Sequence, residues 1–220
     1  MRIAFVESIL LLWRGYGLAV CFIVLGGCSF TTTYNLAYVP NDQSQLPKPV
    51  DGKGLIYTEK ADDEYVFTGN PTSYSGHATT LTIPIGAITK GIAEKVFRGM
   101  FKDGFDLSNT TDNFLAYRVV IRPKVSNFSY EYNQLKNLGF AITPTVRVSL
   151  SVKLLNVSGK VYWEKNYESG DKEGASYMIS TSPGEEISKV AHVTIFDLMT
   201  EAAKDIREQL ISQTREQAGG

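Results

Sequence analysis

The clearest pattern in the chain is an alternation of apolar and polar residues from Phe140 to Leu154. The apolar side chains fall on even positions, interrupted by Pro144, and they are Phe140, Ile142, Val146, Val148, Leu150, Val152 and Leu154. Successive side chains of a strand point to opposite faces, so this pattern predicts one long strand with a buried face and a solvent-exposed face. A polar turn at 156–160 and a second β-rich run at 161–167 then predict a hairpin.

Further strands and two helices are predicted around this hairpin. Short β-rich runs occur at 54–58, 64–68 and 79–85, and a longer element, bent at Pro123, occurs at 115–132. Apolar residues recur at helical spacing from Ile88 to Met100 and from Ile187 to Leu210, the second after the candidate N-cap Ser182. The order β-β-β-α-β-β-β-α predicts an α+β fold, in which an antiparallel sheet carries two amphipathic helices on one face.

The N-terminal region has a different pattern. Arg2 and Arg14 precede an uncharged apolar run that ends at Cys28. A basic region, a short apolar core and small residues before a cleavage site are typical of a secretory signal peptide. The run is shorter than the roughly 20 residues of a membrane span, although apolar residues at 9–13 lengthen it upstream. A transmembrane anchor that ends in cysteine is the alternative interpretation.

The tetrapeptide Leu25-Gly26-Gly27-Cys28 resembles the lipobox of bacterial prolipoproteins. The resemblance implies that signal peptidase II cleaves between Gly27 and Cys28. It also implies a diacylglycerol on the Cys28 sulfur and an acyl chain on its amino group, so that the membrane is a partner. Each buried methylene of an acyl chain contributes about 0.8 kcal/mol to membrane binding, and two or three acyl chains therefore anchor a protein stably. Ser29, where aspartate would favour inner-membrane retention, implies the periplasmic face of the outer membrane, with the inner membrane as the alternative.

The chain is divided by these patterns into four parts. We predict a cleaved signal peptide at 1–27, a lipidated cysteine and flexible tether at 28–53, a single α+β domain at 54–212 and a polar tail at 213–220. The tether is inferred from its lack of periodicity and from its prolines, because such segments bury too little apolar surface to become ordered. The residues from Tyr34 to Val39 are also compatible with a short docked strand.

Composition and charge argue against several classes of partner and active site. The sequence has 22 basic and 23 acidic residues, so it lacks the basic excess that indicates a nucleic-acid partner. Cys21 lies in the predicted signal peptide and Cys28 at the predicted lipidation site, which leaves no cysteine for a disulfide or a nucleophile. His77 and His192 are interpreted as surface or partly buried structural residues. We therefore expect no metal, no cofactor besides the covalent lipid, and no enzymatic activity.

Three aromatic residues, Phe128, Tyr130 and Tyr132, share one face of a predicted strand. They have two interpretations. They fill the space between the sheet and the helices, or they form an exposed strip that binds another envelope protein or a lipid chain. The second interpretation makes these residues the candidate partner surface.

The order of elements between residues 80 and 210 is similar to that of YajG-type small envelope lipoproteins. The similarity includes the helical run at 92–97, the Gly104-Phe105 pair and the hairpin with its polar turn at 156–160. The lipopolysaccharide-assembly lipoprotein and the auxiliary lipoproteins of ABC-type lipid transporters are more distantly similar. The resemblance implies a non-catalytic adaptor or accessory factor in envelope assembly or transport. A periplasmic lipid carrier and a periplasmic enzyme without a recognisable motif are the alternatives; a filled interior favours the adaptor and a continuous apolar cavity favours the carrier.

Overall fold

The computed structural model describes residues 28–41, 48–73, 76–133, 141–176 and 183–218. The predicted signal peptide, with Leu25, Gly26 and Gly27, lies outside the described residues, and so do Phe140 and the candidate N-cap Ser182.

The described residues form strands and helices in nearly the predicted order. The strands are β1 (Ser29–Thr31), β2 (Gly54–Tyr57), β3 (Phe67–Gly69), β4 (Thr80–Ile83), β5 (Phe105–Ser108), β6 (Val119–Asn133), β7 (Thr143–Leu155), β8 (Val161–Glu168) and β9 (Lys172–Glu173). The helices are α1 (Lys60–Asp63), α2 (Ile85–Phe97) and α3 (Pro183–Ala218), with 3-10 turns at Leu36–Tyr38 and Phe114–Ala116. The prediction of an α+β fold is confirmed, whereas α1, β1, β5 and β9 were not predicted.

The strands form two sheets, and neither sheet is purely antiparallel as predicted. One sheet has the order β1-β4-β3, and a six-stranded sheet has the order β5-β2-β6-β7-β8 with β9 paired to β7. β1 lies parallel to β4, and β2 lies parallel to both β5 and β6. A long connection containing α1, β3, β4, α2 and β5 separates β2 from β6, and such crossovers allow a strand to return in the same direction. The prediction of an antiparallel sheet is therefore wrong at this edge.

The β6–β7 hairpin forms the centre of the core. The even-numbered residues of β7 from Val146 to Leu154 are fully buried, as the alternation predicted. β6 continues through Pro123 and has a register shift between Val125 and Asn127. The opposite face of β7 is more covered than predicted, because its serines donate hydrogen bonds to carboxylates of the neighbouring strand β8.

Helices α2 and α3 pack together on the inner face of the six-stranded sheet. Their buried residues, among them Ile88, Ile92, Ile195 and Ile206, belong to the same apolar cluster as β6 and β7. The helix α3 continues to Ala218, so the polar residues from 213 onward extend a helix instead of forming the separate tail that was predicted. A hydrogen bond of 2.8 Å from the Arg118 guanidinium to the Thr214 hydroxyl links this extension to the sheet.

The described part of the predicted flexible tether packs on the domain. Residues 28–41, called here the N-terminal strap, contain strand β1 and the buried Val39, and Val50, in the next described range, is also buried. The tether prediction is therefore wrong for these residues. Their apolar side chains follow no regular period: Val39 is buried in the core cluster, Phe30 and Tyr34 pack against it, and Leu36 is about half exposed.

Candidate functional site

The cysteine predicted to carry the lipid lies at the surface, directly beside a sheet. Cys28 is exposed, and its carbonyl oxygen accepts a hydrogen bond of 2.9 Å from the Thr80 N–H at the start of β4. The next residues form β1, which is the edge strand of the three-stranded sheet. A lipid on the Cys28 sulfur would therefore be attached within one residue of the folded domain.

The aromatic ring of Tyr34 occupies a gap between α2 and α3. A Cβ atom added at Gly91 of α2 would collide with the hydroxyl of Tyr34. On its other side the Tyr34 ring stacks on His192 of α3, with ring centroids 5.8 Å apart and planes inclined by 10°. A glycine in the middle of a helix costs roughly 0.5–1 kcal/mol relative to alanine, and here the missing side chain makes room for the strap.

His192 joins the strap to α3 through directed contacts. The ring is fully buried, which corrects its interpretation as a surface or partly buried residue. Its Nε2 accepts a hydrogen bond of 3.1 Å from the Asn35 N–H, so Nδ1 carries the proton and donates to the Ser188 carbonyl at 2.7 Å. Burial lowers the pKa of His192 below its ordinary value, although the hydrogen bond to Ser188 acts in the opposite direction. The histidine is therefore held neutral, with both nitrogens in use.

Sequence reasoning missed His192 because it does not lie on the main apolar stripe of α3. A second stripe, Ser188, His192, Ile195 and Met199, follows the same helical spacing and would have indicated a buried position. The other histidine, His77, lies in an exposed loop as expected.

The far end of the strap is also attached to both helices. The Tyr38 hydroxyl donates a hydrogen bond of 3.2 Å to Glu185 of α3, and its ring meets His192 edge-on at 5.4 Å. The Lys95 ammonium of α2 donates to the Val39 carbonyl at 3.2 Å and to the Asn41 side chain at 2.9 Å. Because the strap is held from Cys28 to Asn41, the following residues 42–47 join two points on the same domain.

The predicted partner surface is part of the interior. Phe128, Tyr130 and Tyr132 are all buried, and Tyr130 exposes only 2% of its surface. The Phe67 ring of β3 meets the Phe128 ring edge-on at 4.8 Å, and the Tyr130 hydroxyl donates to the Gly69 carbonyl at 3.1 Å. Strand β3 and its neighbours cover this face, so the proposal of an exposed aromatic strip is wrong and the space-filling interpretation holds.

Large apolar side chains are exposed at several places among the described residues, including Leu36, Tyr65 and Val66, and three more lie near the start of β6 and the β7–β8 turn. Leu115 is 81% exposed, and Val157 and Val161 are about half exposed. These three residues, called here the distal tip, lie around one end of the sheet: Val161 pairs with Leu155, Val157 is in the turn between them, and Leu115 follows Phe114, which belongs to the same apolar cluster as Leu155. No periodic pattern marks the distal tip in the sequence.

Helix α3 separates the strap from the distal tip. Gly184 at the start of the helix packs against Phe30 and Thr32 of the strap. Near its other end, the Leu210 carbonyl accepts a hydrogen bond of 3.4 Å from Arg118, which lies next to the start of β6. A helix rises about 1.5 Å per residue, so these two contact points are roughly 40 Å apart.

A cavity of about 320 Å³ opens between α1, the first turns of α2, and β6. Its residues include buried apolar, hydroxyl and charged groups, and they are Thr58, Ala61, Asp62, Asp63, Tyr65, Ile85, Gly86, Thr89, Lys90, Pro123, Lys124, Val125 and Ser126. Among the described residues, no three His, Cys, Asp or Glu side chains are grouped so that they could hold a metal ion. No helix in the described ranges is both long and apolar enough to cross a membrane.

Comparison with known proteins gives structural neighbours only. No protein-family model matches the sequence, and no curated protein matches it. The fold is similar to that of a Xanthomonas campestris protein of the DUF330 family, with a TM-score of 0.51 and 13% identity over 84% of this chain and 98% of that chain. A Helicobacter pylori protein described as a neuraminyllactose-binding hemagglutinin homologue has a TM-score of 0.44 and 10% identity over 82% and 95% of the two chains.

Bacterial lipoproteins occur among these neighbours. A minor lipoprotein from Acinetobacter baumannii has a TM-score of 0.35 and 14% identity over 71% of this chain and 93% of that chain. The likeness to the Xanthomonas protein shows a shared fold, and the similarity to YajG-type and lipopolysaccharide-assembly lipoproteins stays a prediction.

Proposed function

We propose that this protein is a lipid-anchored lipoprotein of the bacterial envelope that acts as a non-catalytic adaptor at the periplasmic face of the outer membrane. The observation that carries this proposal is the docked N-terminal strap, which places Cys28 at one end of α3 while the exposed distal tip lies near the other end. A lipid on Cys28 would hold the first end at the bilayer and direct the second end away from it.

The docked strap changes how the anchor works. A flexible tether would allow the domain to move several nanometres from the membrane and to rotate freely. Strand β1 instead begins immediately after Cys28 and is paired with β4, so the domain lies close to the lipid. The lipid then raises the effective concentration of the domain at the membrane and also restricts its orientation.

The distal tip is the candidate partner surface in this arrangement. Isolated exposed apolar residues are common on proteins, but here three of them lie around one end of a sheet, at or near the hairpin turn. Apolar side chains at the centre of an interface with a polar rim are typical of protein partners. We assign this surface to another envelope protein.

The filled interior supports the adaptor over the lipid carrier. The side chains between the sheet and the helices, including Ile92, Val148 and Ile195, are fully buried and belong to one packed cluster. A carrier would need a continuous apolar space there to hold acyl chains. The cavity beside α1 lies at the edge of this interface and is too small for a phospholipid.

Two insertions of the same ten-residue Gly/Ser segment test the proposal. One is placed between Cys28 and Ser29, and the other after Gln43, within residues 42–47. A flexible segment of this length spans roughly 17 Å, so the first insertion should separate the domain from the membrane. The second should leave the spacing unchanged, because the strap is docked before it.

The readouts are membrane distance and partner contact. A fluorophore on a Val157→Cys variant reports the distance from the distal tip to labelled lipid, and a photocrosslinker at Leu115 reports the partner in cells at matched protein level. We expect the first insertion to alter both readouts and the second to alter neither. Equal responses would contradict the docked-strap model, and an unmodified Cys28 in mass spectrometry of the N-terminus would contradict the lipid anchor.

A further inference from the structure

The cavity beside α1 has an apolar floor. Ile85, Pro123 and Val125 are buried at its base, and the short helix α1 and the exposed ring of Tyr65 form its mouth. The backbone is tightly packed here, since a Cβ atom at Gly86 would collide with the carbonyl oxygens of Asp62 and Asp63. The floor is therefore a fixed surface, and the space above it is part of the fold.

The size of the cavity limits what can fill it. Its volume of about 320 Å³ lies at the lower end of the range for small-molecule sites. A water molecule occupies about 30 Å³, and a methylene group is of similar size, so the cavity accommodates roughly ten non-hydrogen atoms. This is the size of a medium-chain fatty acid, and it is much smaller than a phospholipid.

The charged groups of the cavity are arranged with acids inside and amines outside. Asp62 and Asp63 have side-chain exposures of 11% and 16%, whereas their partners Lys124 and Lys90 are 47% and 40% exposed. Lys124 pairs with Asp62 at 2.7 Å, and Arg122 adds a second contact to Asp62 at 3.1 Å. Asp62 is thus neutralised by Lys124 and by Arg122, which also pairs with Glu59 at 2.7 Å, and Asp63 is neutralised by Lys90. The groups that reach the mouth are ammonium groups, and each has three N–H donors, more than its ion pair uses.

From this arrangement we propose that the cavity binds a small amphiphilic carboxylate, with its chain on the floor and its carboxylate at Lys90 and Lys124. The apolar floor takes a chain of about eight carbons by the volume argument. The two lysines favour an anionic head over a neutral or cationic one, since lysine donates charge-assisted hydrogen bonds to carboxylates. This site is independent of the membrane anchor.

Binding can be measured by calorimetry with three eight-carbon probes: octanoate, 1-octanol and octylamine. The protein used is the chain from residue 28 with Cys28→Ser, because it contains every described core residue, and circular dichroism verifies its fold. We expect octanoate to bind roughly tenfold more tightly than octanol, and octylamine most weakly. Hexanoate should bind less tightly than octanoate, and hexadecanoate should gain little over it, because the cavity is full.

Three variants distinguish the contribution of the ligand's apolar chain from that of its carboxylate head. Ala61→Trp places a bulky side chain at the mouth and should abolish binding of octanoate and octanol alike. The double variant Lys90→Gln with Lys124→Gln should weaken octanoate about tenfold and leave octanol unchanged, which also shows that the cavity is intact. Lys102→Gln removes an exposed lysine paired with Asp51 outside the cavity and is the matched control. Equal binding of octanoate and octanol, preference for octylamine, or unchanged binding in Ala61→Trp would overturn the proposal.

Discussion

Two regions with unusual aromatic content, the N-terminal strap and the aromatic face of β6, are both packed against the fold, but by different means. The face formed by Phe128, Tyr130 and Tyr132 lies inside a continuous apolar cluster that two sheets and two helices share. The strap reaches this cluster through Val39, but it is held on α2 and α3 mainly by a few directed contacts of Tyr34 and His192. The aromatic face is therefore stabilised mainly by burial of apolar surface, and the strap mainly by a few specific contacts.

The comparison teaches where a single substitution should act. An aromatic residue in the core has many neighbours, and its loss leaves a cavity that weakens the whole domain. Tyr34 depends on the slot at Gly91, and the Asn35 N–H depends on His192 as its acceptor, so loss of either contact should loosen this part of the strap while the core stays folded. Release of the strap would leave the lipid attached but would free the orientation of the domain.

The largest effect is expected from Tyr130→Ala in the aromatic face. Tyr130 is buried, contacts the rings of Phe67 and Tyr132, and donates to the Gly69 carbonyl. Removal of a buried aromatic ring should lower the free energy of unfolding by about 3–5 kcal/mol in urea denaturation. Tyr130→Phe is the control and should cost about 1 kcal/mol, since only the hydrogen bond is lost. A cost below about 1 kcal/mol for the alanine variant would show that this face is not part of the core.

A smaller effect on stability is expected from Gly91→Ala, and its sign should depend on whether Tyr34 is present. In the intact protein, Gly91→Ala places a methyl group against the Tyr34 hydroxyl and should loosen the strap. In a Tyr34→Ala background the same change should stabilise α2 by about 1 kcal/mol, because alanine is the better helix former. Hydrogen exchange of residues 29–41 and urea denaturation measure the two effects. The same sign in both backgrounds would contradict the packing of Tyr34 on Gly91.

A pH dependence of moderate size is expected from His192. Its pKa is lowered by burial in the folded protein, while in the unfolded chain it returns towards the ordinary value of 6.5. The unfolded state therefore takes up a proton first, and the stabilisation is complete above pH 6.5 and decreases as the pH falls through the folded pKa. The loss is at most about 1.4 kcal/mol per pH unit.

Urea denaturation and hydrogen exchange of the strap between pH 7.5 and 5.5 measure this dependence. His192→Phe keeps a ring in place and removes the titration, so its stability should vary less over the same interval. A protonated ring cannot accept the Asn35 N–H, and the strap should therefore exchange faster at the lower pH. An equal pH dependence in both proteins would assign the effect to other groups.

The smallest effect on stability is expected at the distal tip. Leu115→Ser removes a side chain that is 81% exposed, and the free energy of unfolding should change by less than about 0.5 kcal/mol. Partner crosslinking from a photoreactive group at Val157 should nevertheless decrease, because the substitution removes exposed apolar surface. Thr111→Ser, in the exposed segment before the same turn, is the matched polar control. Unchanged crosslinking in Leu115→Ser would show that the partner does not bind at the distal tip.

Strands and helices were predicted well where their apolar residues recur at the regular spacing of a strand or a helix. The alternation in β7 and the apolar stripe from Ile187 to Leu210 each describe burial along a single strand or helix, and both were found. The cavity residues were not predicted as a group, because Asp62, Lys90 and Lys124 lie on three elements far apart in the chain. Three of the four residues at 60–63 are charged, and such a run by itself indicates only solvent exposure.

The sequence by itself determined the α+β class, the long hairpin, the two amphipathic helices and a lipobox-like motif at Cys28. Only the tertiary structure decided that β2 lies parallel to β6, that the strap is docked, and that Tyr130 is covered while Leu115 is exposed. The spacing of apolar residues along a strand or helix indicates which side chains of that element are buried. It does not indicate which other element covers them. Burial of an irregular segment depends on a slot such as the one at Gly91, which exists only after distant elements have packed.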